Sequence, residues 1–399
     1  MAPGAASRRP RLPRAIWALG FVSLLMDISS EMIHSLLPVF MVTTLGSSML
    51  AVGLVEGIAE ATALITKVFS GVISDWLGKR KPLAVLGYGL GAASKPLFAL
   101  ATTSGLVLGA RLVDRIGKGI RGAPRDALVA QLAPPSMRGA AFGLRQSLDT
   151  IGAFLGPLLA IGLMLLWAND FRAVFWVAVI PGVLSVIVLV AGVREPATPV
   201  GERRMNPISR DRLRLLPPQY WWVVAVGAVF TLARFSEAFL VVRAQQGGLA
   251  VAWVPMVLIA MNVVYALGAY PFGWLADRVE RTWLLAGGLL VLAVADLLLA
   301  AAGSGPLLWA GIALWGLHMA MTQGLLATMV ADSSPADLRG TAFGLFNLAS
   351  GIALLAASAL AGSLWDHWGP GTTFVAGAVF SGLALGCLAL RQPGAPVAA

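Results

Sequence analysis

Long, mostly apolar stretches recur along this 399-residue sequence with only short breaks of Gly, Pro and charge between them, and this constrains the fold more than anything else. A membrane-spanning helix needs about 20 apolar residues. Reading the apolar runs against their punctuation predicts helices at 15–44, 48–76, 82–102, 105–131, 138–167 and 171–193. A second set is predicted at 219–246, 250–277, 282–302, 306–331, 338–366 and 371–390. With 58% hydrophobic and 12% charged residues and a mean hydropathy of +0.81, a water-soluble fold has nowhere to put this surface. The expected fold class is an all-α membrane protein of twelve transmembrane helices in two pseudo-symmetric six-helix bundles.

The net charge of +10 comes from 29 Lys and Arg against 19 Asp and Glu, and its placement answers to membrane topology and not to nucleic acid. Arg8, Arg9, Arg11 and Arg14 precede the first segment. Lys79, Arg80 and Lys81 follow the second, and Arg194, Arg203, Arg204, Arg210, Arg212 and Arg214 fill the central gap. Segments 43–48, 101–105 and 301–306 contain no Lys or Arg. The positive-inside bias therefore puts both termini and the 194–218 linker in the cytoplasm of a chain that crosses the cytoplasmic (inner) membrane an even number of times. The basic start and apolar run resemble a signal peptide, but the run is long and no small-residue cleavage site follows, so it is expected to stay as the first helix. The sole cysteine, Cys387, excludes an internal disulfide and is expected to be a packed core thiol.

The two sets of helices echo each other. Arg138-Gly139-Ala140-Ala141-Phe142-Gly143-Leu144 returns as Arg339-Gly340-Thr341-Ala342-Phe343-Gly344-Leu345, an offset of 201 (339 − 138). Asp75 in Gly71-Val72-Ile73-Ser74-Asp75 corresponds to Asp277 in Gly273-Trp274-Leu275-Ala276-Asp277, an offset of 202 (277 − 75). The expected organisation is an N-terminal bundle over 1–193, a cytoplasmic linker over 194–218 and a C-terminal bundle over 219–399. Parallel repeats of six spans suit a transporter that rocks about a site between its halves.

The strongest motif is Gly71-Val72-Ile73-Ser74-Asp75-Trp76-Leu77-Gly78-Lys79-Arg80-Lys81. A carboxylate ending a helix beside three cations can pair with them or cap a neighbouring helix N-terminus. With this run the chain resembles the major facilitator superfamily over nearly all its length. The resemblance implies a cytoplasmic gate at Gly71, Asp75, Gly78, Lys79 and Arg80, with Asp277 and Arg278 as its second copy. That copy lacks the second Gly, which points to a weaker latch. The fourth segment carries Arg115-Ile116-Gly117-Lys118-Gly119, similar to the family's Arg-rich motif whose arginine is tied to proton coupling. Gly152-Ala153-Phe154-Leu155-Gly156-Pro157 resembles the Gly-Pro motif of antiporter members, although Leu158-Leu159-Ala160 stands where that pattern ends in two glycines. Close packing by small residues is the structural alternative.

Ionisable residues inside the apolar segments are the functional candidates. At about 100° per residue, Arg111, Asp114, Arg115, Lys118, Arg121 and Arg125 lie along one stripe of the fourth helix, which cannot face lipid. A charge at the bilayer centre costs at least ~2.5 to 3.5 kcal/mol. Asp27, Glu31 and His34 share one face of the first helix, and Glu56, Glu60 and Lys67 share one of the second. Glu237 repeats the Ser-Glu of Ser30-Glu31, with Arg234 three residues earlier as a local partner.

A carboxyl that alternates between wet and closed surroundings can change its proton occupancy. Glu31, Asp27, Arg115 and Asp114 are therefore the proton-coupling candidates, Glu31 first. The family resemblance puts the first, fourth, seventh and tenth helices around the cavity. With the membrane-depth acids Glu56 and Glu60 of the second helix, this makes His34, Arg111, Arg234, Glu237 and His318 the substrate-cavity candidates.

No motif for ATP, a cofactor or a catalytic triad occurs; Gly117-Lys118-Gly119 lacks the flanks of a phosphate loop, and Gly87-Tyr88-Gly89-Leu90-Gly91 lies inside a helix. The expected function is a secondary active transporter, a monomer in the bilayer, exporting a small solute in exchange for protons. Two alternatives stay open. Asp27, Glu31 and His34 are spaced as metal ligands, which allows a divalent-metal exporter. Arg111 and Arg115 allow a proton-coupled symporter of an organic anion. A channel or sensor, the reading from a different class, would need a pore loop or an output domain that the sequence lacks.

Overall fold

The computed structural model describes residues 12–77, 79–195, 215–276, 278–335 and 338–389, except the side chains of 71–73 and 75–77. Among the described residues every regular element is helical. The helices are α1 (Arg14–His34), α2 (Leu37–Thr43), α3 (Met49–Leu77), α4 (Arg80–Leu100), α5 (Ser104–Leu132), α6 (Arg138–Leu166) and α7 (Phe171–Gly192). The second set is α8 (Pro218–Ala233), α9 (Ala238–Gln246), α10 (Met256–Ala276), α11 (Arg281–Ala301), α12 (Pro306–Ser333), α13 (Arg339–Trp368) and α14 (Pro370–Ala389).

These helices form twelve spans, because the first and seventh are each broken in two. The sequence predicts single helices over 15–44 and 219–246. The first instead stops at His34 and restarts with Pro38 in the opening turn of α2, where a missing N–H costs nothing. The seventh unwinds between Ala233 and Ala238, with Arg234 at φ −114° and ψ 89°. Among the described residues ten spans are long and apolar enough to cross a membrane. The other two are α5, which carries the charged stripe, and α12, which carries His318, Thr322 and Gln323.

Helices α1, α4, α5, α6 and α7 pack among themselves, as do α8 and α11 to α14. The main seam between the two sets joins α3 to α13. Glycines make it close: a Cβ on Gly53 would run into the Ser358 carbonyl, and one on Gly57 would lie 2.9 Å from the Leu355 Cα.

Alternation of the spans gives the molecule a basic end, where α1, α4 and α6 begin, and a bare end opposite. At the bare end one apolar core takes residues from both sets, including Leu37 and Phe40 of α2, Val52 of α3, Phe239 of α9 and Trp365 of α13. At the basic end the cores are separate: one holds Ile16, Tyr88 and Leu128, and two others hold residues from Leu216 onwards. The bare end is sealed by this shared core, while toward the basic end the apolar cores separate and the two sets stay in touch along α3 and α13, where a Cβ on Gly344 would lie 2.9 Å from Val68. Cys387 is exposed on α14, which corrects the expected core thiol: the few polar residues of the twelfth span form no one-sided stripe, so its sequence does not say which face meets lipid.

Candidate functional site

The charged stripe of α5 is held in place by small residues. A Cβ on Gly117 would sit 2.6 Å from the Gly87 carbonyl, and one on Gly87 would sit 2.7 Å from the Arg121 backbone nitrogen. The glycine run of α4 is therefore the surface that lets α5 approach, and its Lys95 reaches the stripe. Lys95 Nζ is 2.7 Å from Asp114 Oδ1 and 3.0 Å from Ser30 Oγ. Both charges are buried. The lone cation in the apolar run 92–99 was legible by the rule that membrane-depth charges are functional, but the sequence reading passed over it.

On its other flank the stripe meets α3. Arg111 Nη2 donates to Glu56 Oε2, and Arg115 Nη1 lies 3.2 Å from Glu60 Oε1 and its Nε 3.7 Å from Asp114 Oδ2. His34 closes the group from α1, with Nδ1 3.5 Å from Glu31 and Nε2 3.6 Å from Glu56. Arg111 and Glu56 are each 2% exposed and pair with each other, while Arg111 Nε and Glu56 Oε1 have no partner. Glu31 and Glu60, with side chains 28% and 32% exposed, are accessible, and so is Lys118.

Asp27 and Glu31 look across to α6. A Cβ on Gly152 would be 3.1 Å from Asp27 Cβ, and one on Gly156 would be 2.8 Å from Glu31 Cβ. The Gly-Pro segment is thus the surface against which these two acids of α1 pack. Asp27 meets the carboxyl of Asp149 on α6, a residue the sequence reading did not single out. Arg125 and Arg145 approach Asp149 at 3.8 and 3.7 Å. Two carboxylates in contact repel unless a proton lies between them. Among the described residues no group of three or more His, Cys, Asp or Glu is arranged for a metal: His34 turns to Glu31 and Glu56 while Asp27 turns to Asp149.

The remaining candidates lie apart from this network. His318 is buried, stacks on Phe230 with ring centroids 5.3 Å apart and directs Nδ1 to the Gly288 carbonyl at 2.9 Å. It packs the α11–α12 contact and does not open to a cavity, so its expected cavity role is corrected; the few polar residues of its helix form no one-sided stripe and did not reveal its facing. Arg234 and Glu237 pair locally at 3.3 Å in the break of the seventh span. A cleft of about 230 Å³ between α10 and α12 is lined by Tyr265, Phe272, Met319, Met321, Gln323 and Thr328 among others. Its Arg281 is tied to Asp332.

Of the gate candidates, Lys79 is exposed. The Arg80 guanidinium donates to Gln131 at 3.0 Å, and the Lys81 backbone N–H donates to Glu195 at 3.1 Å. Arg278 stacks over Trp274 at 3.6 Å. Gly78 and Asp277 lie outside the described residues, as do the side chains of 71–73 and 75–77, which include Gly71 and Asp75.

The sequence matches the Major Facilitator Superfamily over residues 19–262 and 238–398. It is 36% identical over 385 residues to an uncharacterized MFS-type transporter of Methanocaldococcus jannaschii, covering 94% of each chain. It is 24% identical to the inner membrane transport protein YajR of Escherichia coli, over 92% of this chain and 81% of that one. Among solved structures, a nucleoside transporter NupG superposes with a TM-score of 0.78 at 14% identity, covering 94% of this chain and 99% of the other.

Proposed function

This chain belongs to the Major Facilitator Superfamily and is a transporter of a small solute, not an enzyme; we propose that it exports that solute by alternating access in exchange for protons. The observation that carries the reading is the meeting of Asp27 on α1 with Asp149 on α6. A carboxyl pair that keeps one proton only while its two helices are in register is a coupling device, because relative movement of α1 and α6 changes what it binds. Asp149 stands one turn before the segment that resembles the antiporter Gly-Pro motif, and Gly152 of that segment faces Asp27, which supports exchange over symport.

Glu31, one turn from Asp27 and exposed to the cavity side, is the second proton carrier. Arg115 and Asp114 keep the carboxylates of α3 and the amine of α4 in place. The two bundles, over 1–193 and 219–399 with a linker at 194–218, would rock about the α3–α13 seam. The positive-inside bias assigns the basic end to the cytoplasm, which makes this the inward-open form of a protein of the inner membrane. The gate residues Gly71, Asp75, Gly78, Lys79, Arg80, Asp277 and Arg278 would close that end in the opposite state. Uptake of an organic anion is the second reading, favoured by the exposed Lys118 beside Arg115.

The test is flux in proteoliposomes screened with divalent metals, organic anions and cationic amphiphiles. Asp27→Asn and Glu31→Gln should abolish uphill, pH-driven movement and leave counterflow. Retained uphill transport in both variants would sink the assignment.

A further inference from the structure

Asp296 lies in the middle of α11 and is completely buried, and neither of its carboxyl oxygens has a hydrogen-bond partner. The comparably buried acids Glu56 and Asp114 are each bonded to a cation, Arg111 and Lys95. Gly377 of α14 is what makes room for Asp296: a Cβ there would collide with Asp296 Oδ2 and lie 3.0 Å from the Phe235 ring. Phe235 belongs to the break in the seventh span and packs on Trp315 of α12 with centroids 5.4 Å apart. The Trp315 indole N–H is likewise buried and unpartnered, so two orphaned polar groups border the same phenylalanine.

Among the described residues no charged group bonds to Asp296: Arg234 pairs with Glu237, Arg281 of α11 pairs with Asp332 of α12, Arg243 of α9 donates to the Leu299 and Ala302 carbonyls at the end of α11, and His318 directs Nδ1 to the Gly288 carbonyl while its Nε2 is buried and unpartnered. An ionised carboxylate without a partner is not sustained in such an interior; the group takes up a proton instead.

We propose that Asp296 is a proton-binding site of the second bundle, holding a proton in the conformation seen here and releasing it to cavity water when the break at Arg234–Glu237 rearranges. The site extends the proton-coupled reading above, which placed carriers only in the first bundle, and its part in transport rests on that reading. Its occupancy does not. Among the described residues no group of three or more His, Cys, Asp or Glu is arranged for a metal, and a metal cation needs several oxygen ligands, so this lone carboxyl suits a proton.

Infrared spectroscopy of the full-length protein in lipid tests the occupancy directly. The carbonyl stretch of a protonated carboxylic acid should appear at neutral pH, lose one component in Asp296→Asn and shift that component in Asp296→Glu. Spin-label distances across the bare end, between positions 44 and 250, test the role. Because the conformation that binds the proton gains as pH falls, wild type should leave the sealed form as pH rises, whereas Asp296→Asn, fixed in the neutral form, should keep it to higher pH. An unchanged infrared band in both variants overturns the occupancy. A pH response in Asp296→Asn identical to wild type overturns the role. Wild-type flux that moves no protons sinks the reading of the preceding subsection while leaving the infrared result standing on its own.

Discussion

The carboxylate of Asp366, near the end of α13, accepts the backbone N–H of Met49 at 2.9 Å, and its second oxygen accepts that of Leu50 at 2.8 Å. A helix of one bundle thereby caps the first turn of a helix of the other, where unpaired N–H groups and the helix dipole both favour an anion. Removing a helix cap typically costs about 1 kcal/mol, and here the loss falls on the sealed conformation alone. Asp366→Ala should make the bare end open several-fold more often. A cysteine at Val241, which is buried in that seal, should react correspondingly faster with an impermeant maleimide, once Cys387 has been replaced by Ser.

The α3–α13 seam predicts a contrast between two glycines. Gly53→Val would push a side chain into the Ser358 carbonyl and should shift molecules out of the sealed form. Gly89 of α4 has nothing within 4 Å of an added Cβ, so Gly89→Ala should stabilise the helix by roughly 0.5 to 1 kcal/mol. The same cysteine-reactivity assay separates them, with no change in reactivity expected for Gly89→Ala.

The buried Arg111–Glu56 pair sets a third expectation. Arg111→Leu leaves Glu56 without its cation and should cost about 3 to 5 kcal/mol, whereas the double change Arg111→Leu with Glu56→Leu should recover most of it. Thermal unfolding in detergent measures both. Equal losses in the single and double variants would mean that the pair is replaced by water in the cavity.

The spans, the repeat and the membrane-depth charges were legible in the sequence because lipid punishes exceptions to apolarity, so each exception stands out. What was not legible follows from facing. His318 and Cys387 sit on helices whose few polar residues form no one-sided stripe, and no pattern tells which side meets a neighbour. Asp149 lies about three turns from the basic end of α6, where a carboxylate passes for a near-interfacial charge until α1 is packed against it. Lys95 and Asp296 were single letters in apolar runs, and the rule that flagged Glu31 applied to them equally. The breaks at Ser35 and Arg234 carry no glycine; only the Pro38 that follows the first hints at it.

The central claim is that proton binding selects between a form sealed at the bare end and one sealed at the basic end. The most direct measurement is a pair of spin-label distances in lipid at a series of pH values, between Thr44 and Ala250 across the bare end and between Ser136 and Val279 across the basic end, each pair introduced as cysteines in a Cys387→Ser background. Raising the pH should lengthen the first distance and shorten the second with a common midpoint, and Asp27→Asn should displace that midpoint. Distances that ignore pH, or that lengthen at both ends together, would contradict the account.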